Sequence, residues 1–253
     1  METVLFTALG VGGATVIGAL LGFLFKKPSH KFNDIILSFA AGVMLSAAVV
    51  GLILPSLEQG SGKWAILITI AGVFCGALCL NLIDRLVPHL HKMTGVDQEL
   101  HPEKTEQLNK VLLFIIAIGI HNLPEGIAAG VSSGSNNMAQ ALTVAGGIAL
   151  QNIPEGMVII APMIAAGMSR GRTFVIALMT GVVEVIGTLI GYFAVSISEA
   201  VLPFALAFAG GTMLYVISDE MIPETHAHGS ERGATYSLLI GFALMLVFDV
   251  LLA

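Results

Sequence analysis

Residues 111–132 read VLLFIIAIGIHNLPEGIAAGVS, an apolar run interrupted near its middle by His121, Asn122, Pro124 and Glu125. The run is long enough to cross a bilayer, which takes about 20 mostly apolar residues. The interruption recurs thirty residues on, in ALQNIPEGMVII (149–160), so that N-x-P-E-G occurs twice. Composition decides whether such stretches are soluble helices with polar breaks or membrane spans with polar interiors. The chain is 56% apolar and 11% charged, with a mean hydropathy of +0.91. An ordinary soluble domain is about 25% charged and about 45–50% apolar. So few charges cannot cover a soluble fold of this size. The sequence predicts an all-α membrane protein.

Breaking the remainder at charged or Gly/Pro/Ser/Asn-rich segments predicts eight spans, at roughly 4–25, 34–55, 64–86, 111–132, 139–166, 173–197, 203–222 and 235–252. They are predicted to form a single transmembrane domain over 1–253, with a cytoplasmic loop at about 87–110. The N-terminus begins Met-Glu without a basic stretch, so the first apolar segment is read as a retained span. Cys75 and Cys79 lie four apart in one apolar run, which excludes a disulfide framework. Nucleic acid is excluded as a partner, because 11 Lys+Arg stand against 17 Asp+Glu. With eight spans the loops alternate sides. One side then carries Lys26, Lys27, Lys31, Arg85, Lys92, Lys104, Lys110, Arg170, Arg172 and Arg232, and the other only Lys63. The basic side is predicted to be cytoplasmic, with both termini outside. A bacterial inner membrane fits the lack of long tails.

A second echo links FAAGVML (39–45) in span two to FAGGTML (208–214) in span seven, each followed by a proline, Pro55 and Pro223. These spans run in opposite directions, as do spans four and five. The pattern predicts inverted repeats of spans 1–3 and 6–8 around a central 4–5 pair.

Glu125, Glu155 and Glu184 fall well inside apolar spans. An acidic residue at mid-span costs about 3 kcal/mol on the insertion scale, so it faces a cavity and carries function. His121 with Glu125, and Gln151 with Glu155, share helix faces at four-residue spacing, flanked by Asn122 and Asn152. Pro124 and Pro154 free the carbonyls of Ile120 and Leu150. Three buried carboxylates repel one another unless a divalent cation lies among them. Imidazole nitrogen with carboxylate oxygen suits Zn²⁺, Fe²⁺ or Mn²⁺. Interhelical hydrogen bonding without a ligand is the competing structural reading.

HNLPEG and QNIPEG, with VVEVIGTLIGY (182–192) and FAGGTMLYVISDEMIPE (208–224), resemble the signature of the ZIP (Zrt/Irt-like) family of divalent metal transporters. Gln151, where many relatives have His, makes the chain more similar to the bacterial GufA-like branch. The resemblance implies a binuclear centre between helices four and five. One metal would be held by His121, Glu125, Gln151 and Glu155. Asn122, Asn152 and Glu184 would complete the other, with Glu125 and Glu155 as bridges. It also implies alternating access, with spans 1, 4, 5 and 6 moving against 2, 3, 7 and 8. The cargo is then Zn²⁺, with Fe²⁺, Mn²⁺, Co²⁺ and Cd²⁺ left open, moving toward the cytoplasm.

His89, His91 and His101 in the long loop, and His226 and His228 after span seven, read either as metal capture at the exit or as a solvated polar surface. Asp219 and Glu220 are weaker exit candidates. Asp34, Asp84 and Asp249 fall near span ends where water can reach them, and no role is assigned to them. The partners expected are divalent cations and the lipid bilayer, with a homodimer left open. An enzyme is not expected. The rivals are an intramembrane metal-dependent hydrolase, disfavoured because H-E-x-x-H is absent, and a membrane metal sensor.

Overall fold

The structure, a computed structural model, describes residues 2–25, 29–59, 62–93, 119, 122–135, 137–165, 167–197 and 199–252, with the backbone alone over 84–93 and at 165, 197, 199 and 252. Every regular element among the described residues is helical. In chain order they are α1 (Glu2–Gly22), α2 (His30–Gln59), α3 (Trp64–Met93), α4 (122–133), α5 (Met138–Ala165), α6 (Arg170–Ile197), α7 (Leu202–Thr225) and α8 (Glu231–Leu252). Seven helices among the described residues are long and apolar enough to cross a membrane; α4, whose described part is shorter, is the other.

The helices outrun the apolar segments that predict them. α2 starts at His30, where the Ser29 hydroxyl accepts the Phe32 amide at 3.2 Å. α3 continues to Met93, so part of the segment read as loop from 87 is helix. Charged residues mark where a helix leaves lipid, but they do not stop it from continuing.

Large apolar side chains point outward: Phe6 is 76% exposed, Phe74 71% and Val250 76%. Such a surface is tolerable only in contact with lipid. The interior is instead rich in Ala, Gly, Ser and Thr, because lipid tails solvate Leu as well as a protein core does and close backbone approach drives association. A Cβ added at Gly18 would strike the Ile153 carbonyl, and one at Gly156 the Thr15 carbonyl, so α1 and α5 meet backbone to backbone. α4 and α6 meet likewise, through Gly126 against Glu184 and Gly187 against Leu123. Gly12 and Gly181 bring α1 onto α6.

A second set shows the same chemistry. Gly42 lies against Leu238 and Gly241 against Phe39, joining α2 to α8. Gly76 lies against Phe208 and Gly211 against Val73, joining α3 to α7. At the seam between the sets the glycines meet side chains only: Val144 at Gly51, and Met245 and Ala47 at Gly147.

Both α2 and α7 contain a widened turn that the sequence reading did not anticipate. It spans Ala47–Ile53 ahead of Pro55, and Ile217–Met221 ahead of Pro223. The Leu54 amide bonds to Val49 and the Ile222 amide to Ile217, each five residues back. Proline has no N–H to give the carbonyl four residues before it, and a π turn absorbs the mismatch. The Gly51 carbonyl, four before Pro55, accepts the Gln140 amide of α5 at 3.1 Å, a hydrogen bond across the seam.

Candidate metal centre

Polar groups from four helices converge inside the first set. Asn122 and Glu125 come from α4, Gln151, Asn152 and Glu155 from α5, Glu184 from α6 and Thr15 from α1. Asn122, Glu125 and Asn152 are each 1% exposed, and Gln151 and Glu184 are fully buried. Glu155 is half-buried and carries an interaction of its own.

Glu184 is the hub. Its Oε1 accepts the Thr15 hydroxyl and the Asn122 amide at 2.5 Å each, and its Oε2 accepts the Asn152 amide at 2.6 Å. Asn152 Nδ2 also lies 3.2 Å from the Val11 carbonyl of α1, which accepts from it. Both asparagine amide groups are thereby committed to donation. Their Oδ1 atoms are buried and hydrogen-bond to no described residue, and no described hydrogen bond reaches either Glu125 oxygen. Gln151, Glu155 and Glu184 all lie close to Glu125. Buried acceptors without donors call for a cation or a proton, because leaving them bare costs their full desolvation.

A cavity of about 520 Å³ adjoins these groups. It is lined by Asn122, Glu125 and Glu155 on one side, and by Leu37 and Met44 of α2 on the other. Asp219, Glu220 and Glu224 of α7 also line it, which places the residues taken as weaker exit candidates along the same cavity.

His121 lies outside the described residues, as does His101, and the side chains of His89 and His91 are not described. Among the described residues no three His, Cys, Asp or Glu side chains make a ready metal cage by themselves. The donors that converge are carboxylates mixed with carboxamide oxygens.

His226 clasps the α7–α8 turn, its Nδ1 2.9 Å from the Ile222 carbonyl and its Nε2 3.1 Å from Thr235 Oγ1. Asp34 corrects its sequence reading. It is only 3% exposed, and its Oδ1 sits 3.1 Å from His228 Nδ1, while the His228 ring stacks on His30. Cys75 and Cys79 are both free thiols.

Thr15 and the Val11 carbonyl are the contributors that the sequence reading missed. Their signal lies in the small-residue face of α1, where Val11, Thr15, Gly18 and Gly22 recur at helical spacing and are all buried.

This arrangement of N-x-P-E-G helices can be set beside known proteins. The family described as ZIP Zinc transporter matches residues 88–249. Over 251 residues the chain is 43% identical to the zinc transporter GufA of Myxococcus xanthus, covering 97% of each chain. The chain belongs to the ZIP family. It is a GufA-like ZIP protein, and further ZIP relatives span bacteria and animals. It is 37% identical to the zinc transporter ZIPB of Bordetella bronchiseptica, over 94% of this chain and 78% of that one. It is 30% identical to human zinc transporter ZIP11, over 94% of each chain. Membership makes this ZIP chain an integral membrane transporter and not an enzyme, so the hydrolase reading falls.

Proposed function

We propose that this ZIP protein carries Zn²⁺ toward the cytoplasm through a binuclear centre between α4 and α5. The observation that carries the reading is the set of buried oxygens on Glu125, Asn122 and Asn152 that pair with no donor among the described hydrogen bonds, with Asn122 and Glu125 lining an open cavity. His121, Glu125, Gln151 and Glu155 hold one ion. Asn122, Asn152 and Glu184 complete the second position, with Glu125 and Glu155 bridging. Neutral carboxamides hold transition metals loosely, which suits a carrier that must release its cargo. The relatives' names support zinc, and Fe²⁺, Mn²⁺, Co²⁺ and Cd²⁺ are competitors to test against it.

With the basic loops inside, the acidic residues of α7 lie on the cytoplasmic flank of the cavity, which is then the release route, and both termini lie outside. Inverted repeats of spans 1–3 and 6–8 are supported by the glycine pairings. Exchanging α2 with α7 and α8 with α3 maps the Gly42–Leu238 and Gly241–Phe39 contacts onto Gly211–Val73 and Gly76–Phe208. Backbone-to-backbone packing within α1, α4, α5 and α6, and within α2, α3, α7 and α8, supports two bodies that move as units. The seam glycines meet deformable side chains, which lets the bodies slide. Alternating access follows from that motion around a midplane site.

Purified protein in sealed proteoliposomes holding a zinc-sensitive dye tests the reading. An inward zinc gradient should fill protein-containing vesicles faster than empty ones. Zinc binding without uptake would leave a membrane metal sensor as the function. His121→Ala should slow uptake strongly and alter its pH profile, because an imidazole ligates only when neutral. A large rate loss on an unaltered pH profile would remove His121 from the ligand set.

A further inference from the structure

We infer that Thr15 of α1 is a positioning residue for the metal centre, acting through Glu184 to decide which end of each asparagine side chain faces the metal. The inference rests on the zinc-carrier reading and adds a fourth helix to its working parts.

A carboxamide has a donor end and an acceptor end, and only the oxygen can ligate a cation. In Asn122 and Asn152 the NH₂ groups are turned to Glu184, at 2.5 and 2.6 Å, so that both Oδ1 atoms point elsewhere and hydrogen-bond to no described residue. Glu184 therefore sorts the two amides. It does so only while its carboxylate keeps one orientation, with Oε1 toward Asn122 and Oε2 toward Asn152. Thr15 contributes a third donor, its hydroxyl lying 2.5 Å from Oε1. A carboxylate has about four acceptor positions. Three donors fix its plane and leave one acceptor position, on Oε2, uncommitted among the described hydrogen bonds.

The hydroxyl is well placed to impose that order. Thr15 is 1% exposed, so its hydroxyl is shielded from bulk water. Its own carbonyl lies against Gly156, next in sequence to Glu155, and Gly12 one turn earlier lies against Gly181 of α6. Thr15 is thus held between α5, which carries Asn152, and α6, which carries Glu184. The α1 backbone adds the Val11 carbonyl, which accepts from Asn152 at 3.2 Å and keeps that amide from turning over.

The test compares Thr15→Val, which keeps the shape and removes the hydroxyl, with Thr15→Ser, which keeps the hydroxyl. Groups that orient metal ligands are worth about 10–100-fold in affinity. Thr15→Val should raise the KM for Zn²⁺ uptake by about tenfold or more, with equilibrium zinc binding to the purified protein weakened in parallel. Thr15→Ser should restore both to near the wild-type values. Thr15→Ala, read on the same scales, stands in if Thr15→Val does not reach the membrane. An unchanged KM and zinc affinity in the hydroxyl-free variants would overturn the inference. So would equal impairment of Thr15→Ser, which would make the residue a packing element. Wild-type protein that binds zinc but transports none would instead sink the carrier reading, and the binding comparison would still decide the role of Thr15.

Discussion

Glu125→Ala and Glu155→Ala should each bring zinc uptake down to the level of empty vesicles, while the protein still reaches the membrane. Each carboxylate bridges two ions in the proposed centre, so its loss removes a ligand from both and leaves the cations short of countercharge in a low-dielectric site. Glu125 is 1% exposed, and water entering the cavity it lines would replace an oxygen but not the lost charge. Glu125→Gln and Glu155→Gln keep the volume and one oxygen while removing the charge, and they should fail nearly as completely. Initial rates of uptake, normalised to the protein recovered in vesicles, give the measurement. Wild-type rates in either alanine variant would move the transport site away from α4 and α5.

Gln151→His should convert a fast, loose carrier into a slow, tight one. Gln151 is fully buried beside Glu125, and in the proposed centre its amide would be a neutral, weak ligand. An imidazole there adds a borderline nitrogen, which favours Zn²⁺ over Mn²⁺ by ligand type. The KM for zinc should fall by about tenfold, the worth of 1.4 kcal/mol. The maximal rate should fall as well, because release becomes harder, and Mn²⁺ should compete less. Concentration-dependent uptake of both metals at fixed pH measures all three. An unchanged KM and metal ratio would take Gln151 out of contact with the ion and redraw the site around His121, Glu125 and Glu155.

The helical, membrane-spanning character of the chain and the gathering of its buried acids were legible because lipid enforces simple rules. A run of apolar residues reports a span whatever it packs against. Glu125, Glu155 and Glu184 stand out because an acid in hydrocarbon has no bland explanation of equal weight. Four-residue spacing alone puts Glu125 and Glu155 on polar faces, and the structure brings both to the same cavity. Relationships between helices were harder to read. Thr15 looks like one more small residue in GVGGATVIG, since its partner lies 169 residues away. Asp34 looks solvated by its place near a span end. The α7–α8 turn, arriving with His228, supplies its partner. The glycines announced close packing but not their partners, because a glycine against Leu238 and one against Val144 read alike in sequence. Pro55 and Pro223 signalled trouble in two helices, yet a kink and a π turn are alternative repairs that the local sequence does not distinguish.

Accessibility of the cavity from the two sides of the membrane tests the proposed transport cycle most directly. Val158 lines the cavity one turn beyond Glu155 on α5. In protein freed of Cys75 and Cys79, Val158→Cys can be challenged with a membrane-impermeant thiol reagent in right-side-out and inside-out vesicles, with and without zinc. Modification from both sides, with zinc changing the ratio between them, is the result expected of a cavity that opens alternately around Glu125 and Glu155. Modification from one side only, in every condition, would contradict it.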